Sequence, residues 1–129
     1  MKIGVPKEIK IKENRVGLVP GGARQLVHDG HEVFIQKSAG ASIGISDQEY
    51  IDVGAKILDT AQDIFDKATM IIKVKEPQKQ EIAMLRPQHI LYTYLHLAAD
   101  PVQTEGLMKS GATSIAYETI QLPDNSLPL

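Results

Sequence analysis

"TMIIKV", Thr69 to Val74, is an apolar run without polar alternation until its lysine. A strand with one wet face alternates apolar with polar, whereas a run of this kind marks a strand covered on both faces. "KEP" ends it, because Pro77 has no N–H to give to a ladder. "HEVFIQ" (His31–Gln36) has the same character, with Val33, Phe34 and Ile35 in a row, and so does "HILYTYL" (His89–Leu95). Shorter strands are expected at "KIGV" (Lys2–Val5), "AKIL" (Ala55–Leu58) and "TSIAYE" (Thr113–Glu118).

Helical patterns separate these runs. In "GGARQLVHDG", Ala23, Leu26 and Val27 share one face, and Gly30 stands where a C-terminal cap belongs. Ser46 and Glu49 form an S-x-x-E capping box, opening a short helix to Val53 that Gly54 stops. Asp59-Thr60 is placed to cap "AQDIFDKA", and "QKQEIAML" reads as helical. Asp100-Pro101 pairs an N-cap with proline at the first helical position, for a helix reaching Ser110 before Gly111. The pattern predicts an α/β fold: a parallel, doubly wound sheet, flavodoxin-like or Rossmann-like, with helices on both faces and right-handed crossovers. The strand order stays open between these two windings.

A chain of 129 residues can bury one core. A net charge of −2 implies no nucleic-acid partner. The lack of cysteine excludes disulfides and thiolate metal sites and suits a reducing compartment. Four scattered histidines make no metal-ligand spacing, so no metal is expected. "MKIGVPKEIK" has no apolar signal core and no run approaches membrane-spanning length, so a cytoplasmic setting is expected. "QLPDNSLPL" carries two prolines and no regular pattern. Residues 1–119 therefore read as a domain, and 120–129 as a linker.

In open α/β sheets ligands bind beyond the carboxyl ends of the strands. Past the first strand lie Lys7, Glu8 and Arg15; past "TMIIKV", Lys75 and Glu76; past "HILYTY", His96; past "TSIAY", Glu118. Arg15 can grip a carboxylate with two parallel N–H bonds. Lys75 can polarise a carbonyl oxygen. A histidine titrates near neutrality, so His96 can give or take a proton. Together they suit an α-keto or α-amino acid. The bland readings are that His96 is an ordinary loop histidine, that Lys73 and Lys75 are strand-end charges in water, and that Arg15 lies in a solvated loop. Three such residues at equivalent places weigh toward a site. His28 ends a helix, and His31 and His89 begin strands on the wrong edge. Tyr92, Tyr94 and Tyr117 read as core or pocket wall. "SAGASIG" lacks G-K-[ST], and no G-x-G-x-x-G occurs. A Mg²⁺-binding receiver domain would need clustered acids at strand ends, and Glu8 stands alone there.

"MKIGVPKEIKIKENRVGLVP", "VKEP", "TYLHLA" and "AYETIQLPDNSLPL" resemble the N-terminal part of the alanine dehydrogenase/pyridine nucleotide transhydrogenase family, the alanine dehydrogenases in particular, over essentially the whole chain. That resemblance implies a two-domain, NAD-dependent enzyme interconverting L-alanine with pyruvate and ammonia, usually as a homohexamer. It implies a substrate domain made of a segment like this one plus a C-terminal return, with NAD held by a separate Rossmann domain beyond Leu129. Turnover by residues 1–129 alone is then not expected. By the same resemblance Arg15 binds the substrate carboxylate, Lys75 contacts the substrate and His96 is the catalytic acid/base. The NAD(H)-binding transhydrogenase subunit shares the "IGVPKE" and "ENRV" style of opening, but typically replaces the histidine of "YLHLA". A non-enzymatic small-acid-binding module is the remaining alternative.

Overall fold

A computed structural model describes residues 1–129. Its strands are β1 (Lys2–Val5), β2 (Glu32–Gln36), β3 (Lys56–Leu58), β4 (Met70–Ile72), β5 (Ile90–Thr93) and β6 (Thr113–Ala116). Its helices are α1 (Pro20–His28), α2 (Asp47–Ile51), α3 (Ala61–Lys67), α4 (Lys79–Ile82) and α5 (Pro101–Ser110). All strand pairs are parallel, and the order is β3-β2-β1-β4-β5-β6. This is the Rossmann winding, with the chain reversing direction across the sheet between β1 and β4. A crevice opens at such a reversal because the connections leave to opposite faces.

The apolar runs bury both faces as their composition requires. Val33 and Ile35 join Ile3, Val5, Ala23 of α1 and Tyr50 of α2 in one cluster. Phe34, between them in sequence, joins Ile64 and Phe65 of α3, Ile71, Leu91 and Leu107 of α5 in the other. Tyr50 is wholly buried, and its hydroxyl donates to the Leu18 carbonyl at 2.8 Å. His89 is also buried: the Arg86 N–H donates to its Nδ1 at 3.0 Å, and its Nε2 faces the Phe65 carbonyl at 2.9 Å. It is a structural histidine.

Local signals set the helix ends. Ser46–Glu49 and Thr60–Asp63 both form reciprocal capping boxes, and the Asp100 carboxylate accepts from the Gln103 N–H at 2.9 Å. Gly30 and Gly111 follow α1 and α5 in the left-handed region, at φ 85° and 70°. Several elements end short of expectation, among them α2 at Ile51 and β5 at Thr93. The helix in 78–85 closes at Ile82, and the last strand ends at Ala116 in a 3-10 turn over Tyr117–Thr119. β4 is shorter than "TMIIKV" because its pairing to β1 stops at Ile71, and the Val74 N–H is taken by a Glu8 carboxylate oxygen instead of a strand carbonyl. Residues 120–129 hold no helix or strand.

Gly4 sits beneath α3, where an added Cβ would lie 2.6 Å from Ile64 Cγ2 and 2.7 Å from Ala68 Cβ. Gly4→Ala should therefore lower stability by about 1–3 kcal/mol through overpacking. Urea denaturation measures this, and an unchanged midpoint would show that α3 lifts without cost.

Candidate functional site

The loop from β1 to α1, residues 6–19, crosses onto the carboxyl end of β4. Gly17 makes the crossing close: a Cβ there would stand 2.8 Å from the Ile72 carbonyl oxygen. Glu8 anchors the loop, its Oε1 accepting from the Val74 N–H at 2.8 Å and its Oε2 from Lys73 Nζ at 3.1 Å. Lys73 Nζ also meets Glu81 Oε1 of α4 at 2.7 Å, and all three side chains are buried. Burial pushes the Glu81 carboxyl above the usual range despite the opposing pull of Lys73. The reading of Lys73 as a solvated strand-end charge is corrected: it is buried between two carboxylates. A lysine inside an apolar strand run was the available signal, but its partner lies far away in sequence.

Lys75 and His96 flank the ring of Tyr94, and Arg15 stands at the same sheet edge, paired with Glu13. Lys75 Nζ lies 5.8 Å from the ring centroid. The His96 ring stacks on it at 6.0 Å and 30°. The Arg15 guanidinium donates from Nε (2.9 Å) and Nη2 (2.7 Å) to the Glu13 carboxylate. Those bonds, with added attraction from Arg15 and Lys75, bring the Glu13 carboxyl down to about 2. Tyr117 meets Tyr94 and Tyr92 edge-on, at 5.0 and 4.3 Å, and its hydroxyl donates to the Lys73 carbonyl at 3.0 Å. The tyrosines are thus a wall that ties the rim to the buried lysine.

His96 has a left-handed backbone, φ 51° and ψ 40°. Glu118 holds it there, its carboxylate accepting the N–H groups of His96 (2.7 Å) and Leu95 (3.0 Å). Burial alone would raise the Glu118 carboxyl, but these donors, His96 first, keep it below the usual range. Glu76 lies between Lys10, with which it makes an ion pair, and His96 Nδ1 at 3.5 Å. Tyr94, stacked on the ring, completes the surroundings. Two cavities flank this edge, and neither is lined by Arg15 or Lys75. One, of about 650 Å³, lies between α4 and α5 and includes Lys10 and Glu76; the other, of about 500 Å³, includes His96 and Glu118. The three residues share an open rim, with the Arg15 side chain 59% and that of His96 46% exposed.

A Rossmann-wound parallel sheet with a guanidinium, an ammonium and an imidazole past its strand ends defines the class: an α/β domain with cationic side chains along one sheet edge. The chain belongs to the alanine dehydrogenase/PNT N-terminal domain family, whose model matches residues 4–129. It is 54% identical over 129 residues to the alanine dehydrogenase of Methanococcus maripaludis, and 52% identical to that of Halomonas elongata, covering 100% of this chain and 35% of each relative. Among solved structures, an L-alanine dehydrogenase is 50% identical with a TM-score of 0.95, covering 99% of this chain and 35% of that one. The transhydrogenase from Sinorhizobium meliloti is 28% identical with a TM-score of 0.85, covering 92% of this chain and 35% of that one. The chain thus spans about a third of the length of the relatives it matches.

Lys73→Met would leave two buried carboxylates without their cation, at a cost of about 3–5 kcal/mol. The loss should be smaller at pH 5 than at pH 8, because a stranded carboxylate is relieved by taking a proton. In the unaltered chain, the raised Glu81 carboxyl contributes most below the ordinary glutamate range, and that contribution fades as pH rises through its raised value. Denaturant midpoints at the two pH values check this; equal losses at both would count against the cluster.

Proposed function

We propose that this chain is the substrate-acid-binding portion of an NAD-dependent alanine dehydrogenase, which converts L-alanine, NAD and water to pyruvate, ammonia and NADH. The observation that carries the reading is the placement of Lys75 and His96 on either side of Tyr94, with the Arg15 guanidinium already gripping a carboxylate, that of Glu13, at the same sheet edge. The identities of 54% and 50% to alanine dehydrogenases, against 28% to a transhydrogenase, support this reading over the NAD(H)-binding alternative.

Arg15 receives the substrate carboxylate in the fork that Glu13 now fills. The Glu13 carboxylate stands in for the acid, and an incoming carboxylate displaces it. Lys75 donates to the keto oxygen and draws electron density from the substrate carbon. Once the hydride has left the α-carbon, water attacks the iminium carbon while His96 takes the water's proton and the C=N pair returns to nitrogen. His96 then gives that proton to the nitrogen, ammonia leaves, and the hydroxyl proton passes to His96 as the carbonyl forms. Holding the acid beside these groups removes orientational freedom before the chemistry begins.

NAD accepts the hydride in this reaction, but residues 1–129 do not fit it. Where a dinucleotide fold has its glycine-rich phosphate turn after the first strand, this chain has the long loop 6–19 with buried Glu8. NAD is assigned instead to a region outside residues 1–129. Residues 1–119 act as the substrate domain, and 120–129 as the lead toward that region. A homohexamer in the cytoplasm completes the reading. The lack of cysteine fits a reducing compartment, and no helix is long and apolar enough to cross a membrane.

Pyruvate added to the ¹⁵N-labelled chain should shift the amide signals of Arg15, Lys75, Tyr94 and His96. Arg15→Met should weaken binding about 10- to 100-fold, the worth of a charge-assisted bidentate contact. Glu13→Gln should tighten it by about fivefold, the upper scale of a surface ion pair, because only the Arg15 side of this pair is exposed. No shift of these signals with pyruvate would overturn the reading.

A further inference from the structure

We infer that Glu76 is the positioning residue for His96, holding the imidazole proton on Nδ1 so that Nε2 presents its lone pair to the rim. The inference rests on the role proposed above for His96. Four observations carry it. First, Glu76 Oε2 is buried and has no hydrogen-bond partner, yet it faces His96 Nδ1 at 3.5 Å. That is longer than a formed hydrogen bond, but catalytic contacts of this kind are often loose before the ligand arrives. Second, Lys10 secures Glu76 through the other oxygen, Oε1, which leaves Oε2 aimed at the imidazole. Third, the stack on Tyr94 and the Glu118 clamp on the backbone restrict how the ring can turn. A non-glycine residue in the left-handed region costs about 1–3 kcal/mol and persists only where neighbours hold it. Fourth, no hydrogen bond engages Nε2.

The charged and titratable groups facing this imidazole are Glu76, with Lys10 behind it, Glu118 below the backbone and Tyr94 beneath the ring. Only Glu76 lies against a ring nitrogen. In the neutral imidazole one nitrogen donates and the other accepts, and the partner of the first decides which. A carboxylate at Nδ1 therefore assigns Nε2 as the atom that takes the proton, and the negative charge of Glu76 steadies the imidazolium that results. Glu76 touches no reacting atom; it acts through His96.

The test reads the tautomer directly. Long-range ¹H–¹⁵N spectra of the four imidazoles, recorded without substrate at a pH where they are neutral, distinguish Nδ1–H from Nε2–H. His89 serves as the internal reference for folding, because its contacts place the proton on the opposite nitrogen, Nε2. In the unaltered chain His96 should be mainly Nδ1–H. Glu76→Ala should shift the tautomer ratio about tenfold toward Nε2–H while the His89 signal stays. Glu76→Met, which keeps the apolar stem, should do the same if the alanine variant loses its fold, and Glu76→Gln, which keeps an acceptor oxygen, should retain Nδ1–H. An Nε2–H majority in the unaltered chain overturns the inference, and so does a folded Glu76→Ala or Glu76→Met variant with an unchanged ratio. Because no ligand is added, a failed pyruvate titration would leave this result standing, and the reverse holds too.

Discussion

The rim depends on one buried ion cluster, Lys73 between Glu8 and Glu81. A lysine withdrawn from water is costly unless its charge is met, and here two carboxylates from different elements meet it. Glu8 belongs to the loop that carries Arg15, Lys73 to the strand end that leads to Lys75, and Glu81 to α4. The cluster therefore fixes how far the loop stands from the strand. Glu8 does a second task in taking the Val74 N–H, which ends the β1–β4 ladder and frees the following residues to turn toward the rim. Such a cluster contributes less to net stability than to a single arrangement, since an apolar trio would pack as well without directing the loop.

The class of fold was legible because burial on both faces leaves a direct trace: Val33, Phe34 and Ile35 are consecutive, and they do divide between the two clusters. Caps were legible because they are local, as at Ser46, Thr60 and Asp100. The strand order was not, because it depends on which face each crossover helix takes, and the helices' apolar stripes do not say. Where the rim residues fall followed from sheet logic alone, since the carboxyl ends of parallel strands share one edge. The acids were harder. Glu13 and Glu76 lie in charged stretches that look solvated, and only the fold shows that each faces a cation. Glu8 and Lys73 were read as ordinary for the same reason: a buried pair 65 positions apart has no local signature.

Charge assignment around Tyr94 gives the rim its direction. Arg15 is paired with Glu13, and Lys10 with Glu76. Glu118 is occupied by two backbone N–H groups. Lys75 has the Tyr94 ring face and no carboxylate partner. Of these rim cations, Lys75 is thus the one without a carboxylate at ion-pair distance, and its charge adds to that of Arg15 in lowering the Glu13 carboxyl. This pair keeps one exposed partner, the Arg15 guanidinium, with the Glu13 side chain largely covered, so it exchanges for a ligand carboxylate more readily than the fully buried cluster behind it. The two tiers divide the labour: the inner pair of acids keeps the loop in place, while the outer acid keeps the guanidinium extended and ready without holding it permanently.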